Sequence, residues 1–239
     1  MSGTLYGLGL GPGDPELITL KSWRIISMAP VIAWPQGESG RSRARTIAAP
    51  FIPEDVEELP LSIPFTGDSA ALEAAWHQAA EQVAARLDAD KDVAFLCLGD
   101  PLTWGSFARL AALLAASHPV HAVPGVVSAQ AAAARFSTPL VRGTEPLKLL
   151  PATMERDALL AECLNRQAGL AILKAGRRLD MVRTVLANAG RLAGAMVVQA
   201  LDGGEERIMP LERAAEALPE DYFSLVLVWP QGRAPRMED

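Results

Sequence analysis

A chain of 239 residues, half of them hydrophobic, carries enough apolar side chain for one large core or two modest ones. Its net charge of −6 denies it the broad basic face on which nonspecific nucleic-acid binding depends. No apolar run approaches the roughly 18 to 20 residues that span a bilayer, and the first residues lack a charged segment followed by an apolar one, so a cytoplasmic protein without membrane attachment is expected. Cys97 and Cys163 make no disulfide framework and read as reduced core residues. His77, His118 and His121 lack metal-ligand spacing, so no metal site is expected.

In chain order, Leu5-Tyr6-Gly7-Leu8-Gly9-Leu10 reads as a buried strand ended by the turn residues Pro12-Gly13. Asp14 then stands at an N-cap, Pro15 at the first helical position where its missing N–H costs nothing, and Glu16 where the helix dipole favours an anion. Gly7, Gly9, Gly11 and Gly13 let backbone or ligand come close. A dinucleotide fingerprint G-x-G-x-x-G would need glycine where Pro12 or Asp14 stands. It would also need an acidic ribose ligand about 20 residues on, where the chain reads Val31-Ile32-Ala33-Trp34. A phosphate-cradling loop would need Gly-Lys-Ser/Thr after the turn, and that is missing too. Two readings of this segment stay open: a capped helix after a core strand, or a turn that lets a ligand approach.

The same grammar recurs downstream. Residues 92–98 form a second buried strand that runs into Gly99-Asp100-Pro101 and a helical stretch over 104–116. Residues 120–123 form a third, followed by Pro124-Gly125 and an alanine-rich helix over 128–135. Between them, 73–87 is an amphipathic helix with Trp76, Ala80, Val83 and Leu87 on one face. Three strand–turn–helix units suit an open parallel sheet whose ligand crevice lies outside the carboxyl ends of its strands. Past Pro139, the punctuation by Gly143, Pro146 and Pro151 reads as an interdomain connection, dividing the chain into α/β domains 1–138 and 139–239. The second half alternates strand 169–173, helix 179–188 stopped by Gly190, strand 195–201, a turn at Asp202-Gly203-Gly204, and a hairpin partner at 206–209. A helix over 210–218 and a last strand at 224–229 follow, so a mixed sheet is expected there.

Taken together, Gly9-x-Gly11-Pro12-Gly13-Asp14-Pro15-x-Leu17-x-Thr19-x-Lys21, Gly99-Asp100-Pro101 and Val123-Pro124-Gly125 resemble the tetrapyrrole (corrin/porphyrin) methylases, over nearly the whole chain. Within that family, Ala33-Trp34-Pro35, Arg41-Ser42-Arg43-Ala44-Arg45, the run from Leu98 to Phe107, and Gln130-Ala131-Ala132-Ala133-Ala134-Arg135 look most like the members that methylate precorrin-2 at C20 in cobalamin synthesis. The resemblance implies an S-adenosylmethionine-dependent C-methyltransferase of two α/β domains with the cofactor held between them. It further implies a homodimer with a small-molecule tetrapyrrole as its partner and no nucleic acid. By the same resemblance Pro12, Leu98, Gly99, Asp100, Thr103, Val127, Ser128, Ala175, Asp202 and Gly203 contact the cofactor.

Such a substrate carries many carboxylates, and a chain of charge −6 must meet it with a local basic cluster. Arg41, Arg43 and Arg45 are the candidates, with Arg142, Lys148 and Arg177-Arg178 in support; the alternative is a solvated loop and helix start. Asp100 reads either as a cofactor contact or as a plain N-cap worth about 1 kcal/mol. Uroporphyrinogen methylases of the family place an aspartate just after the second strand as a base, where this chain has Trp34-Pro35. No general base is therefore assigned, and Tyr6, Glu38 and the arginine loop are only near-site candidates. The rival readings are a methylase acting at another ring carbon or on the cobalt-bearing macrocycle, and a noncatalytic ligand-binding protein of the same fold.

Overall fold

The computed structural model describes residues 2–64, 66–202, 204–217, 223–231, 233 and 235–236, with the side chains of 215–217 left aside. It divides into two compact units, Met1–Val127 and Ser128–Asp239. The first holds strands β1 (Leu5–Gly9), β2 (Val31–Gln36), β3 (Glu57–Ser62), β4 (Val93–Cys97) and β5 (Val120–Val123), all parallel, in the order β3-β2-β4-β1-β5. Its helices are α1 (Leu20–Met28), α2 (Arg43–Ala48), α3 (Ser69–Asp88) and α4 (Phe107–Leu114).

Alternation along the strands sends side chains to two separate cores. Leu5, Val31, Ala33, Val93, Phe95 and Cys97 pack beneath α3 and α4, while Leu8, Leu10, Ile32, Trp34, Ala94, Leu96 and Val123 pack against α1 and α2. Burial on both faces is why β1 and β4 read as nearly continuous apolar runs rather than alternating ones. The chain therefore leaves β1 through α1 on one face and leaves the neighbouring β4 through α4 on the other. Their carboxyl ends flank the point where the connections diverge, which in open α/β sheets is where ligands bind.

Local signals explain most element boundaries. Asp14 accepts a hydrogen bond from Glu16 N (2.8 Å) and starts a 3-10 turn at Pro15–Leu17, after which Thr19 caps α1 by accepting from Ser22 N. Asp68 caps α3 at Ala70 N and Ala71 N, and α3 buries Trp76, Ala79, Ala80, Val83 and Leu87 along one side. The helix expected from Trp104 starts only at Phe107. Trp104 takes a left-handed φ of +54°, which breaks regular helix there, and a Cβ on Gly105 would stand 2.5 Å from Pro101 O, so this turn needs glycine at 105.

The second unit comprises α5 (Ser128–Ala133), β6 (Leu147–Pro151), α6 (Arg156–Cys163), β7 (Gly169–Leu173), α7 (Leu179–Asn188), β8 (Met196–Gln199), β9 (Arg207–Pro210), α8 (Leu211–Ala217) and β10 (Ser224–Val228). Its sheet runs β6-β7-β10-β8-β9, with only β6 and β7 parallel, the mixed arrangement expected. Part of the proline-punctuated stretch read as a connection is strand β6, an edge strand on which Pro151 is tolerated at the last position. The sequence places the domain junction at 138/139, whereas α5 is grouped with the second unit, where it packs on β10.

One buried cation anchors the end of this unit away from the carboxyl termini of β7 and β8. Arg191, 5% exposed, donates to the carbonyls of Cys163, Asn165, Ala168 and Trp229, and desolvation holds its pKa below the ordinary arginine value. Three carbonyls between the end of α6 and the start of β7, and one after β10, thus share one guanidinium, whose planar fork suits several acceptors at once. Arg191→Ala should lower unfolding stability by about 3 kcal/mol in urea titrations, because it strands buried acceptors without a donor.

Candidate functional site

Three backbone segments meet where β4, β1 and β5 end. A Cβ on Gly125 would stand 2.2 Å from Gly99 O and 2.7 Å from Gly9 Cα; one on Gly9 would stand 2.4 Å from Gly125 N. Only glycine fits either position. Gly99 N donates to Gly11 O (2.8 Å), and Gly11 N to Gly99 O (3.3 Å), so the β1 and β4 loops are also hydrogen-bonded to each other. Buried Ser22 of α1 donates through Oγ to Gly9 O, tying the helix to the same strand end.

Asp100 fastens the third loop. Its Oδ1 accepts from Leu102 N (3.0 Å) and Thr103 N (2.9 Å), closing the turn after β4, and its Oδ2 accepts from Gly125 N (3.2 Å). No helix starts at Pro101, so the reading of Asp100 as a plain helix N-cap is corrected: α4 begins only at Phe107. Gly99 itself has a φ of +70° and its missing Cβ faces open space, with no atom within 4 Å. Around it, Pro12 is buried, while Leu98, Thr103 and Val127 are half-buried. Trp104 (43% exposed) and Leu102 (63%) project from the same loop.

The second unit has its own rim. β7 and β8 both run antiparallel to β10, so they point the same way and end at one sheet edge. Lys174 follows β7 with φ +58°, and fully buried Ala175 donates through N to Ser224 O (3.0 Å). Gln199, the last residue of β8, donates through Nε2 to Ser224 Oγ. Ala200 and Asp202 are also left-handed, at φ +52° and +56°. Arg135 donates to Asp202 Oδ1 and in two bonds to Glu206, whose Oε2 also accepts from Asp202 N (2.6 Å). Of the expected second-unit residues, Ala175 and Asp202 lie at this rim, Ser128 opens α5, and Gly203 lies outside the described residues.

The arginine run is not brought together. Ser42 caps α2 by accepting from Arg45 N, so Arg43 and Arg45 lie about 200° apart around a helix. Arg45 donates Nε and Nη2 to the two carboxylate oxygens of Glu58, at 2.8 and 2.7 Å, and sits over the Trp34 ring. That pairing raises its own pKa and holds Glu58 below the ordinary carboxylate value. Arg41 is exposed ahead of the helix. Tyr6 lies mid-strand, stacked on His121, and Glu38 is exposed. Sequence reasoning missed Arg135 and Glu206 because nothing local links them to Asp202.

The model of the tetrapyrrole (corrin/porphyrin) methylases matches residues 4–214. The chain belongs to that family. It is 38% identical over 240 residues to cobalamin biosynthesis protein CobIJ of Mycobacterium tuberculosis (strain ATCC 25618 / H37Rv), a match covering 97% of this chain and 46% of that protein. The chain thus spans about half the length of that relative. It is 37% identical to a precorrin-2 C(20)-methyltransferase of Sinorhizobium sp, with 95% of each chain covered. Among solved structures it shares the fold of a uroporphyrin-III C-methyltransferase from Thermus thermophilus complexed with S-adenosyl homocysteine, at a TM-score of 0.66 and 23% identity over 95% of this chain and 97% of that one. In this tetrapyrrole methylase the ends of β1, β4 and β5 carry the three glycine motifs that the sequence singles out.

Two glycines separate packing from ligand access. Gly125→Ala should cost about 3 kcal/mol or prevent folding, since its Cβ meets backbone that cannot move aside. Gly99→Ala should cost only about 1 kcal/mol for its positive φ. Denaturation curves of the two variants measure the contrast. Acid titration checks Glu206, which Arg135 holds below the ordinary value of 4.5. Its contribution to stability is complete above the unfolded pKa and disappears as pH falls through the lower folded one, so the stability gap between wild type and Glu206→Gln should close on acidification.

Proposed function

We propose that this chain transfers a methyl group from S-adenosylmethionine to C20 of precorrin-2, giving precorrin-3A in cobalamin biosynthesis. The observation that carries the reading is the 37% identity, over 95% of both chains, with the Sinorhizobium enzyme of that name. It is supported by the turn after β4, where Gly99 leaves open space beside the close-packed ends of β1 and β5. The cofactor contacts on this reading are Pro12, Leu98, Gly99, Asp100, Thr103 and Val127 in the first unit, and Ser128, Ala175, Asp202 and Gly203 in the second. Two features favour the fit: the open space in front of Gly99, and a buried Asp202 oxygen that lacks a partner among the described residues.

When bound, S-adenosylmethionine supplies an electrophilic methyl group to an electron-rich ring carbon. What the chain contributes is alignment and exclusion of water, since holding donor and acceptor in register supplies much of the rate of such a displacement. Backbone groups at Gly99 and Gly11 are fixed by their mutual hydrogen bonds and by Asp100, so they can hold a ligand without reorganising. Substrate carboxylates are assigned to the arginine segment. Arg41, exposed ahead of α2, and Arg43 in its first turn carry that role on this reading, while Arg45, paired with Glu58, supports the packing of α2 and β3. No residue is assigned as general base, as Trp34-Pro35 occupies the place expected for one.

The enzyme is further proposed to be a cytoplasmic homodimer. Among the described residues no helix is long and apolar enough to cross a membrane, and α1 leaves Leu20, Trp23 and Met28 exposed, an apolar strip that favours cover by a second copy. Sedimentation velocity reads the assembly directly.

Incubation with precorrin-2 and methyl-labelled S-adenosylmethionine should place the label at C20; label at another ring carbon would reassign the step. Arg41→Gln combined with Arg43→Gln should raise KM for the macrocycle at low salt by about tenfold with little change in S-adenosylmethionine affinity, since each lost charged hydrogen bond is worth about 1.5 kcal/mol or less at an exposed site. Arg45→Gln should instead lower the melting temperature and leave KM nearly unchanged.

A further inference from the structure

The Asp202 carboxylate is costly as it stands. Its side chain is 4% exposed, Oδ1 accepts from Arg135, and Oδ2 is buried with no hydrogen-bond partner among the described residues. A buried charged acceptor without a donor is strongly unfavourable, and Asp202 also sits in a left-handed conformation two residues after another non-glycine residue that does the same. The surroundings hold that arrangement firmly. Arg135 bridges Asp202 and both oxygens of Glu206, while Glu206 accepts from the Asp202 N–H, so backbone and side chain of Asp202 are clamped by the same pair. Strain and an orphaned acceptor at the carboxyl end of β8 are what a site looks like before its ligand completes it.

We propose that Asp202 Oδ2 accepts a hydrogen bond from a ribose hydroxyl of the nucleoside ligand, with Arg135 and Glu206 as positioning residues that aim the carboxylate. The inference rests on the reading of the chain as an S-adenosylmethionine enzyme. A neutral hydroxyl fits better than the ligand's ammonium group: one open acceptor in a nearly dry position satisfies one O–H, whereas an ammonium brings three donors and a large desolvation cost. The two carboxylates already share one guanidinium, which holds the Asp202 carboxylate in place.

The test is calorimetric, using S-adenosylhomocysteine, its 2′-deoxy and 3′-deoxy analogues, and an analogue lacking the α-amino group. Wild type should bind the parent about tenfold or more tighter than one of the deoxy analogues, the expected size of a hydrogen bond to a charged group. Asp202→Gly keeps the left-handed turn at no steric cost, so it should fold with an undiminished melting temperature, lose the discrimination, and bind the deoxy analogue as wild type does. Arg135→Gln should shrink the same ratio, whereas a purely structural role for Arg135 would weaken all ligands alike. Equal affinity of wild type for parent and both deoxy analogues overturns the proposal. So does discrimination that survives in Asp202→Gly, or a loss seen only with the deaminated analogue. Failure of wild type to bind S-adenosylhomocysteine at all would strike the cofactor reading, a result separate from these.

Discussion

The contact of Gly9, Gly99 and Gly125 is the constraint on which the rest of the first unit depends. The strand ends can approach this closely only because Gly9 and Gly125 carry no side chain where they meet each other and the Gly99 carbonyl, and the sheet order, with β1 between β4 and β5, makes them neighbours. The result is a surface made largely of peptide groups. Asp100 joins two of the loops, using both oxygens on backbone N–H groups.

The second unit reaches a comparable end by different means. Where the first uses glycine, the second holds Lys174, Ala200 and Asp202 in left-handed conformations and fixes them through Ser224, Arg135 and Glu206. Strain of this kind persists only where neighbours over-determine it. A buried Arg191 shared by four carbonyls gives the same unit a rigid base, so both ends of its sheet are set by single arginines rather than by apolar packing alone.

Charge distribution refines the picture of a net-negative protein meeting a polyanion. Many basic side chains are already engaged: Arg45 with Glu58, Arg86 and Lys91 with Glu57, Lys148 with Glu162, and Arg233 with Glu145. Arg178 donates to the Ala152 and Met154 carbonyls. Exposed Arg41 and Arg177 lie outside these pairs, and the attraction of exposed charges for a carboxylate-rich ligand is sensitive to salt.

The apolar runs of β1 and β4, the Asp14-Pro15 turn and the one-sided pattern of α3 were legible because each depends on neighbours in the chain: burial on two faces, a capping oxygen, a helical period. The three glycine motifs likewise marked the strand ends, though not why glycine was needed there. Strand β3 escaped notice, since Pro60 breaks its pattern and is tolerated only at a sheet edge, and β6 was hidden among prolines for the same reason. Asp100 carried the signature of a cap, yet its partner Gly125 lies 25 residues away; Arg135 meets Asp202 across 67. Which remote groups meet is decided by strand order and crossover side, and these follow from the packing of whole layers rather than from any local stretch. The sequence by itself determined most of the elements, the family and the residues at the strand ends; the tertiary structure decided that Arg45 would be spent on Glu58, that Asp100 would join two loops, and that one oxygen of Asp202 would be buried without a partner among the described residues.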